Sequence, residues 1–221
     1  MTKVAVMQPY LFPYLGYFQL INAVDYYVFL DDVNWMKKGW INRNTLSDDF
    51  VFTIPVKKAS QNKLIKDVQI THGWANKLCQ TIKHKYSNAQ NYNEHKNFIE
   101  FLIKNCEGSK FTDASCFIIE EISSLLQLKT RFHRSSDFDV GHLRASHKIK
   151  RICEDFNADM YINPIGGKNL SMYEPKLFDP IKLRFINNLF TLRRTSIIDL
   201  LFTNDLETLK DQLHIFELLE K

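Results

Sequence analysis

KVAVMQPYLFPYLGYFQLINAVDYYVFLDD, residues 3–32, is the stretch from which the fold class follows. Its first five residues form an apolar run that Gln8-Pro9 ends, which predicts a buried strand because proline cannot continue a hydrogen-bonded ladder. From Gly16 to Asp25 the apolar residues recur at helical spacing, and residues 26–30 are again a continuous apolar run. Strand, helix and strand in so short a segment predict a βαβ unit with parallel strands, and hence an α/β fold.

Further elements are expected along the rest of the chain. Residues 40–46 and 50–56 alternate across the polar turn Ser47-Asp48-Asp49, which predicts a hairpin, and residues 65–70 are expected to add a strand. Apolar spacing predicts helices over 74–86, 92–105 and 113–127, with Thr112 as the N-cap of the third. These three helices would form a helical subdomain at about 72–130.

The C-terminal part of the chain continues the α/β pattern. A helix is predicted over 142–156, strands over 159–163 and 181–186, and a last helix from Asn204, with Glu207 in capping-box position and Phe216 on its buried face. We therefore expect one domain, residues 1–221, built on a Rossmann-like parallel sheet with a small hairpin insertion and a helical subdomain.

Composition limits the classes of function. With 45% hydrophobic residues, 24% charged residues, 7 glycines and 6 prolines, the 221 residues exclude disordered and collagen-like proteins. The net charge of +4 is too small and too evenly spread to predict nucleic-acid binding. No apolar run approaches the roughly 20 residues of a membrane span, and the N-terminus lacks a signal-peptide pattern. The four cysteines form no Cys-x-x-Cys pair, so reduced, mostly buried thiols and a cytoplasmic location are expected.

The first candidate site is the loop from Gln8 to Tyr17, because ligands of open α/β sheets bind beyond the carboxyl ends of the strands. A helix that begins near Gly16 would direct its free N–H groups and positive dipole end at this crevice, which suits a phosphate or carboxylate. Sugar rings and bases stack on aromatic faces of the kind this loop offers, namely Tyr10, Phe12, Tyr14 and Tyr17. The alternative is that these side chains fill core gaps around a proline-rich turn.

The second candidate is the pair Asp31-Asp32, which is followed by basic, aromatic and amide side chains: Lys37, Lys38, Trp40, Asn42, Arg43 and Asn44. Two carboxylates at a strand end can act as a general base or hold a divalent ion, and nearby cations can neutralise phosphates. A solvated turn has a similar composition. Adjacent strand residues face opposite sides, so either Asp31 or Asp32 could point into the crevice.

A third candidate is the segment Asn163-Pro-Ile-Gly-Gly-Lys168, which follows another predicted strand. Adjacent glycines before a lysine can wrap backbone amides around an anion, but the spacing is not that of a P-loop. A glycine-requiring turn is the stronger interpretation. The histidines, of which His142 and His147 are five residues apart, do not have the spacing of metal ligands.

Several of these motifs resemble those of the WbqC-like protein family. The resemblance rests on the run of residues 8–18, on Asp31-Asp-Val33, on residues 37–44, and on the later blocks 159–168 and 196–200. Members of that family occur in bacterial O-antigen and other surface-polysaccharide clusters, and glycine transfer has been suggested for one of them. Many members carry histidine where this chain has Met7, so no catalytic histidine is expected at the end of the first strand.

The resemblance implies a transferase that moves a small acyl or aminoacyl group, such as glycyl, onto a nucleotide-linked amino sugar. Asp32 would take a proton from the sugar amine, and Lys38 would balance the charge of a phosphate or carboxylate. The expected substrate-binding residues are Gln8, Tyr10, Tyr14, Tyr17, Trp40, Asn42, Arg43, Asn163, Gly167 and Lys168. No metal ligands are assigned, and the candidate cofactor is a nucleotide with Mg²⁺.

A second similarity is one of layout. The predicted strand, loop and helix are similar to the opening of nucleotidylyltransferases and class I synthetases, whose loop reads His-x-Gly-His where this chain has Tyr14-Leu-Gly-Tyr17. This similarity implies one alternative, a nucleotidyl or adenylate-forming enzyme. A third interpretation is a non-catalytic partner of another transferase that binds a sugar or nucleotide. In each case the expected ligand is a small molecule, without nucleic-acid binding or membrane insertion.

Overall fold

The protein is described by a computed structural model that covers residues 1–47 and 50–221. Its strands, in chain order, are β1 Lys3–Met7, β2 Tyr26–Phe29, β3 Arg43–Thr45, β4 Val51–Thr53, β5 Arg131–Arg134, β6 Met160–Pro164, β7 Lys182–Asn188 and β8 Phe216–Leu219. Its helices are α1 Leu15–Asn22, α2 Ala75–Tyr86, α3 Tyr92–Asn105, α4 Phe111–Leu125, α5 Ala145–Asp155, α6 Pro175–Phe178, α7 Ile197–Thr203 and α8 Leu206–Gln212.

A six-stranded sheet in the order β5-β2-β1-β6-β7-β8 forms the centre of the fold. The first five strands of this order run parallel, and β8 pairs antiparallel with β7. The separate pair β3–β4 is the small antiparallel hairpin. The α/β class with a Rossmann-like, mostly parallel sheet is thereby confirmed.

Both faces of the sheet are buried, which explains the continuous apolar runs of its central strands. Ala5 and Tyr27 face a core formed with α1–α4, α7 and α8, whereas Val4 and Val28 face a second core formed with α5 and α6. All four side chains have no measurable exposure. The alternation along each strand therefore divides one apolar run between two cores.

Some predicted elements differ in the structure. Residues 65–70 are not a strand: a short 3-10 helix, Ile65–Asp67, precedes isolated bridges at Gln69 and Ile70. The predicted hairpin is present but shorter than 40–56, and its turn residues Asp48 and Asp49 lie outside the described residues. The three predicted helices of residues 74–127 are confirmed as α2, α3 and α4.

Two predicted helix starts are wrong. Thr112 is the second residue of α4, and Lys110 occupies the N-cap position. The last helix begins after Asp205, whose carboxylate accepts a hydrogen bond from the Thr208 N–H at 2.7 Å, so Asn204 is not its cap. Phe216, expected on that helix, lies instead in β8.

The order of the strands determines where a crevice forms. From β1 the chain builds β2 and then β5 on one side, and it returns to add β6 and β7 on the other side of β1. The sheet therefore has its topological switch point between β1 and β6, where ligands of such sheets bind at the carboxyl ends. Within the described residues, no helix has the length and apolar character needed to cross a bilayer.

Candidate functional site

A cavity of about 340 Å³ lies at the switch point, beside the carboxyl ends of β1 and β6. Met7 and Pro164, the last residues of these two strands, are in its wall. The loop after β1 and the first turns of α1 supply an aromatic side, and the β3 segment and Arg194 line it as well. The position and apolar character are typical of small-molecule sites, whose volumes are roughly 300–1,000 Å³.

The loop between β1 and α1 is held by the chain segments that surround it. The Leu11 N–H donates to the Ile41 carbonyl at 2.8 Å, and the Phe12 carbonyl accepts from Asn44 Nδ2 and from the Ser196 hydroxyl, each at 2.9 Å. Phe12 itself is fully buried and has a φ of 49°, a left-handed conformation that is strained for an aromatic residue. These contacts fix the loop before any ligand binds.

The N-terminus of α1 opens on the cavity through Gly16. A Cβ atom at this position would lie 2.8 Å from Asn188 Oδ1 and would also collide with the Tyr14 ring, so only glycine allows this close packing. Asn188 Nδ2 in turn donates to Gln19 Oε1 at 2.6 Å, which attaches α1 to the end of β7. The first turn of α1 holds no acidic residue and its N-cap has no side-chain hydrogen bond, so its positive end is available to an anion.

Three tyrosines form the aromatic wall of the cavity. The rings of Tyr10 and Tyr17 are 5.5 Å apart, and the Tyr17 hydroxyl donates to the Gln8 carbonyl at 2.8 Å. Burial raises the pKa of Tyr10, an effect that Tyr14 reinforces. Burial also raises the pKa of Tyr14, although the positive charge of Arg194 opposes the rise. These phenols therefore stay neutral at physiological pH and can donate hydrogen bonds to a ligand.

Arg194 and Trp40 form the exposed rim. The Arg194 guanidinium lies 5.6 Å from the centre of the Phe190 ring, and it forms no ion pair with any residue of the described ranges. Trp40 is 53% exposed and carries the Arg43 guanidinium over its ring at 4.6 Å. Sequence reasoning missed Arg194. The adjacent block 196–200, one of the family motifs, was the available signal.

The two aspartates after β2 lie outside the cavity and have partners of their own. Asp31 is 1% exposed, and its carboxylate accepts from the Ser136 N–H at 3.0 Å and the Ser136 hydroxyl at 2.9 Å. Asp32 Oδ2 is 2.6 Å from Lys148 Nζ, and both side chains are only 6% exposed. The Ser135 hydroxyl donates to the other oxygen of Asp32. The Asp32 carboxylate is therefore engaged in a buried ion pair and does not line the cavity.

The remaining candidates are not part of the cavity wall. Lys38 is exposed with a φ of 60°, and Asn42 Nδ2 donates to the Ile54 carbonyl at 2.9 Å. Asn163 is 5% exposed, and its amide is so close to Gly167 that a side chain there would collide with it. This contact supports the interpretation of residues 163–168 as a glycine-requiring turn, with Lys168 half-buried after it. The structure thus brings together Tyr10, Tyr14, Tyr17 and Trp40 from the predicted set, together with Asn44 of the second candidate group. Phe12, predicted to offer a ring face to the ligand, is fully buried instead, and Gln8 and Arg43 do not line the cavity.

A larger cavity, of about 760 Å³, lies at the opposite end of the parallel strands, near Thr2, Asp25 and Arg131. Its residues are mainly polar and stand at the amino ends of β1, β2 and β5. Size alone therefore favours this cavity, but ligands of such sheets bind at the carboxyl ends, so we assign the smaller one as the candidate site. Among the described residues, no group of three or more His, Cys, Asp or Glu side chains is arranged to hold a metal ion.

The fold and the cavity together define an α/β protein with a candidate small-molecule site at the switch point of its sheet. The sequence profile of the WbqC-like protein family matches residues 8–211, so the chain belongs to the WbqC-like protein family. The chain is also 25% identical over 189 residues to Rv1507c, an uncharacterised protein of Mycobacterium tuberculosis strain H37Rv, and the match covers 83% of this chain and 80% of that protein. No solved structure matches the chain significantly.

Proposed function

We propose that the protein is a cytoplasmic transferase of surface-polysaccharide biosynthesis. It binds a nucleotide-linked amino sugar in the switch-point cavity and transfers a small acyl or aminoacyl group, such as glycyl, onto that sugar. The observation that carries the proposal is the combination, in one cavity, of an aromatic wall, an uncapped helix N-terminus and the exposed guanidinium of Arg194. Membership of the WbqC-like family supports the biosynthetic role.

The chemistry of the wall matches the parts of such a ligand. A phosphate group would accept hydrogen bonds from the first N–H groups of α1 and would pair with Arg194. A sugar or base ring would lie on the face of Tyr10, whose neutral hydroxyl would reach its polar groups, with Tyr17 packed behind that ring. A cavity of about 340 Å³ holds one ring system, so the rest of the molecule would extend past Trp40 to solvent.

Asp32 stays our predicted general base only if the ion pair with Lys148 opens, because that pair occupies its carboxylate outside the cavity. Asp32→Asn distinguishes the two roles. Because Asp32→Asn leaves Lys148 buried without its partner, a lower melting temperature is expected in either case. A catalytic role predicts in addition that the folded variant no longer transfers the group, whereas a purely structural role predicts that it still does.

Ligand-dependent stabilisation tests the binding step. The melting temperature of the purified protein is measured against nucleotide-linked amino sugars, unmodified nucleotide sugars, amino acids and acyl-coenzyme A, with and without Mg²⁺. A ligand at 100 times its dissociation constant stabilises the fold by about 2.7 kcal/mol. Mass spectrometry then detects acyl or aminoacyl transfer to the stabilising sugar.

Two neighbouring arginines provide a matched pair of variants. Arg194→Gln removes the guanidinium of the cavity rim and is expected to weaken binding of an anionic ligand about tenfold or more. Arg193→Gln removes an equal charge from the adjacent exposed residue, which is not part of the cavity wall, and should leave binding unchanged. Equal effects of the two substitutions would contradict the assignment of the cavity.

A second candidate is an adenylate-forming or nucleotidyl-transferring enzyme, which the position of the cavity at the N-terminus of α1 favours. In that case ATP with Mg²⁺ would stabilise the protein, and pyrophosphate would be released when a carboxylic acid is added. Stabilisation by a sugar nucleotide without turnover of either kind would instead indicate a non-catalytic binding partner.

A further inference from the structure

A third cavity lies at the same carboxyl end of the parallel strands as the switch-point cavity with its aromatic wall, which we call the aromatic cavity. It lies beside β2 and β5, whereas the aromatic cavity lies beside β1 and β6. It has a volume of about 370 Å³ and is bounded by the start of α4, by the residues that follow β2 and β5, and by Lys66. Polar and charged side chains dominate its wall, in contrast to the aromatic cavity. Nothing in the function proposed above uses this space.

Thr112 carries the first observation. The residue lines the cavity and is 2% exposed, yet its hydroxyl has no hydrogen-bond partner in the described part of the protein. Buried hydroxyl groups in native proteins nearly always have a partner. A threonine in the first turn of a helix also cannot reach a carbonyl of an earlier helical turn, so an external acceptor is the natural partner of this hydroxyl.

The start of α4 carries the second observation. This helix has 15 residues, and its N-cap residue, Lys110, has no side-chain acceptor. The acidic residue of its first turn, Asp113, is paired with Arg134. The Phe111 N–H donates to the Val68 carbonyl at 2.9 Å, but the N–H groups of Thr112 and Asp113 have no acceptor among the residues described. A helix N-terminus with free N–H groups attracts anions.

The charged residues of the cavity are compatible with an anion. Lys66, Lys110 and Arg134 contribute three cations, and neither lysine forms an ion pair within the described ranges. Of the carboxylates in the wall, that of Asp31 accepts from Ser136, and that of Asp113 is 2.6 Å from Arg134 Nη1. The remaining one, Asp67, is exposed. Two of the three carboxylates therefore already have partners. The two lysines, the Thr112 hydroxyl and the N–H groups of Thr112 and Asp113 have none among the described residues.

We propose that this cavity is a second ligand site, which binds a phosphate group through the Thr112 hydroxyl, the first-turn N–H groups of α4, and the side chains of Lys110 and Lys66. These five donor groups lie within the acceptor capacity of the oxygens of one tetrahedral oxyanion. The phosphate is either free inorganic phosphate or the phosphoryl group of a nucleotide. The site is independent of the aromatic cavity and of the function proposed for it.

Titration calorimetry with inorganic phosphate, and separately with a nucleoside diphosphate, tests the proposal on the full chain. Thr112→Val keeps the shape of the side chain and removes the hydroxyl, so phosphate binding should weaken about tenfold. Because the hydroxyl is unpartnered without ligand, the same variant should melt about 2–4 °C higher than the parent protein in phosphate-free buffer. Lys110→Gln, at an exposed position, should also weaken binding. The control is Lys129→Gln, at an exposed position near the opposite end of the parallel strands, which should leave binding unchanged.

The outcomes separate the sources of the phosphate and the two sites. Binding of inorganic phosphate alone indicates a free-phosphate site, and binding of the diphosphate alone indicates the phosphoryl group of a nucleotide. The part of the binding that Thr112→Val removes should be unchanged in Arg194→Gln, whereas any diphosphate bound in the aromatic cavity should be weakened by Arg194→Gln and not by Thr112→Val. The proposal is overturned if neither ligand binds, or if Thr112→Val binds as tightly as the parent.

Discussion

The buried pair of Lys148 and Asp32 gives the sharpest prediction for stability. Lys148 Nζ lies 2.6 Å from Asp32 Oδ2, and 6% of each side chain is exposed. Lys148→Met would leave the carboxylate buried with the Ser135 hydroxyl as its remaining side-chain partner. Breaking a buried ion pair in this way costs about 3–5 kcal/mol. For a chain of this size each kcal/mol lowers the melting temperature by about 2–4 °C, so a decrease of about 6–20 °C is expected.

A matched control lies on the same helix. Arg151 Nη2 pairs with Asp155 at 3.0 Å, but the arginine side chain is 57% exposed, and surface pairs contribute only about 0–1 kcal/mol. Urea unfolding followed by circular dichroism, with the slope compared among variants, gives the free energies of unfolding for Lys148→Met and Arg151→Met. The double variant Asp32→Leu with Lys148→Met should regain much of the loss, because it leaves no buried charge unpaired.

Two results would refute this reasoning. If Lys148→Met unfolds within about 1 kcal/mol of Arg151→Met, the ion pair contributes no more than a surface pair does. If Asp32→Asn abolishes transfer while its free energy of unfolding is unchanged, the carboxylate is a general base and its contact with Lys148 is not structural.

Three further predictions concern packing, pH and thiol chemistry. Gly16→Ala should destabilise the protein by about 1–3 kcal/mol and weaken ligand binding, because the new Cβ would lie 2.8 Å from Asn188 Oδ1. The control is Gly141→Ala, which has open space around it, and equal melting temperatures of the two variants would contradict the packing argument. Burial lowers the pKa of His95, so stability that is present above its ordinary pKa of about 6.5 should be lost as pH falls through the lowered value. The free energy of unfolding, measured from pH 7.5 to pH 5, should therefore decrease less for His95→Leu than for the parent protein. Equal decreases in the two proteins would contradict a contribution of His95. Burial raises the pKa of Cys79 to about 11, and the other three cysteines are buried. A thiol reagent at pH 7 should therefore modify the native protein slowly and at Cys79 alone. Rapid modification of several thiols would show that the fold opens around the buried cysteines.

Sequence reasoning succeeded where the local pattern and the tertiary structure agree. The β1-α1-β2 unit follows from residues 3–30, because central strands buried on both faces must be continuously apolar. Helices α2, α3 and α4 follow from their amphipathic spacing. The strands that reasoning missed, β5 and β8, are the two edges of the sheet. An edge strand is only partly covered, so Arg131–Arg134 has no apolar run to reveal it.

The sequence by itself determined the fold class, the switch-point loop and three of the four loop aromatics predicted for the cavity wall, because each depends on residues close together in the chain. The fourth, Phe12, is fully buried instead. The tertiary structure decided which polar groups meet. Arg194 reaches the same cavity as Tyr10 only through the crossing of the chain to β7, and Lys148 reaches Asp32 from 116 residues away. Long-range pairing depends on how whole elements pack, and no local pattern of residue types encodes the partner of a given charge.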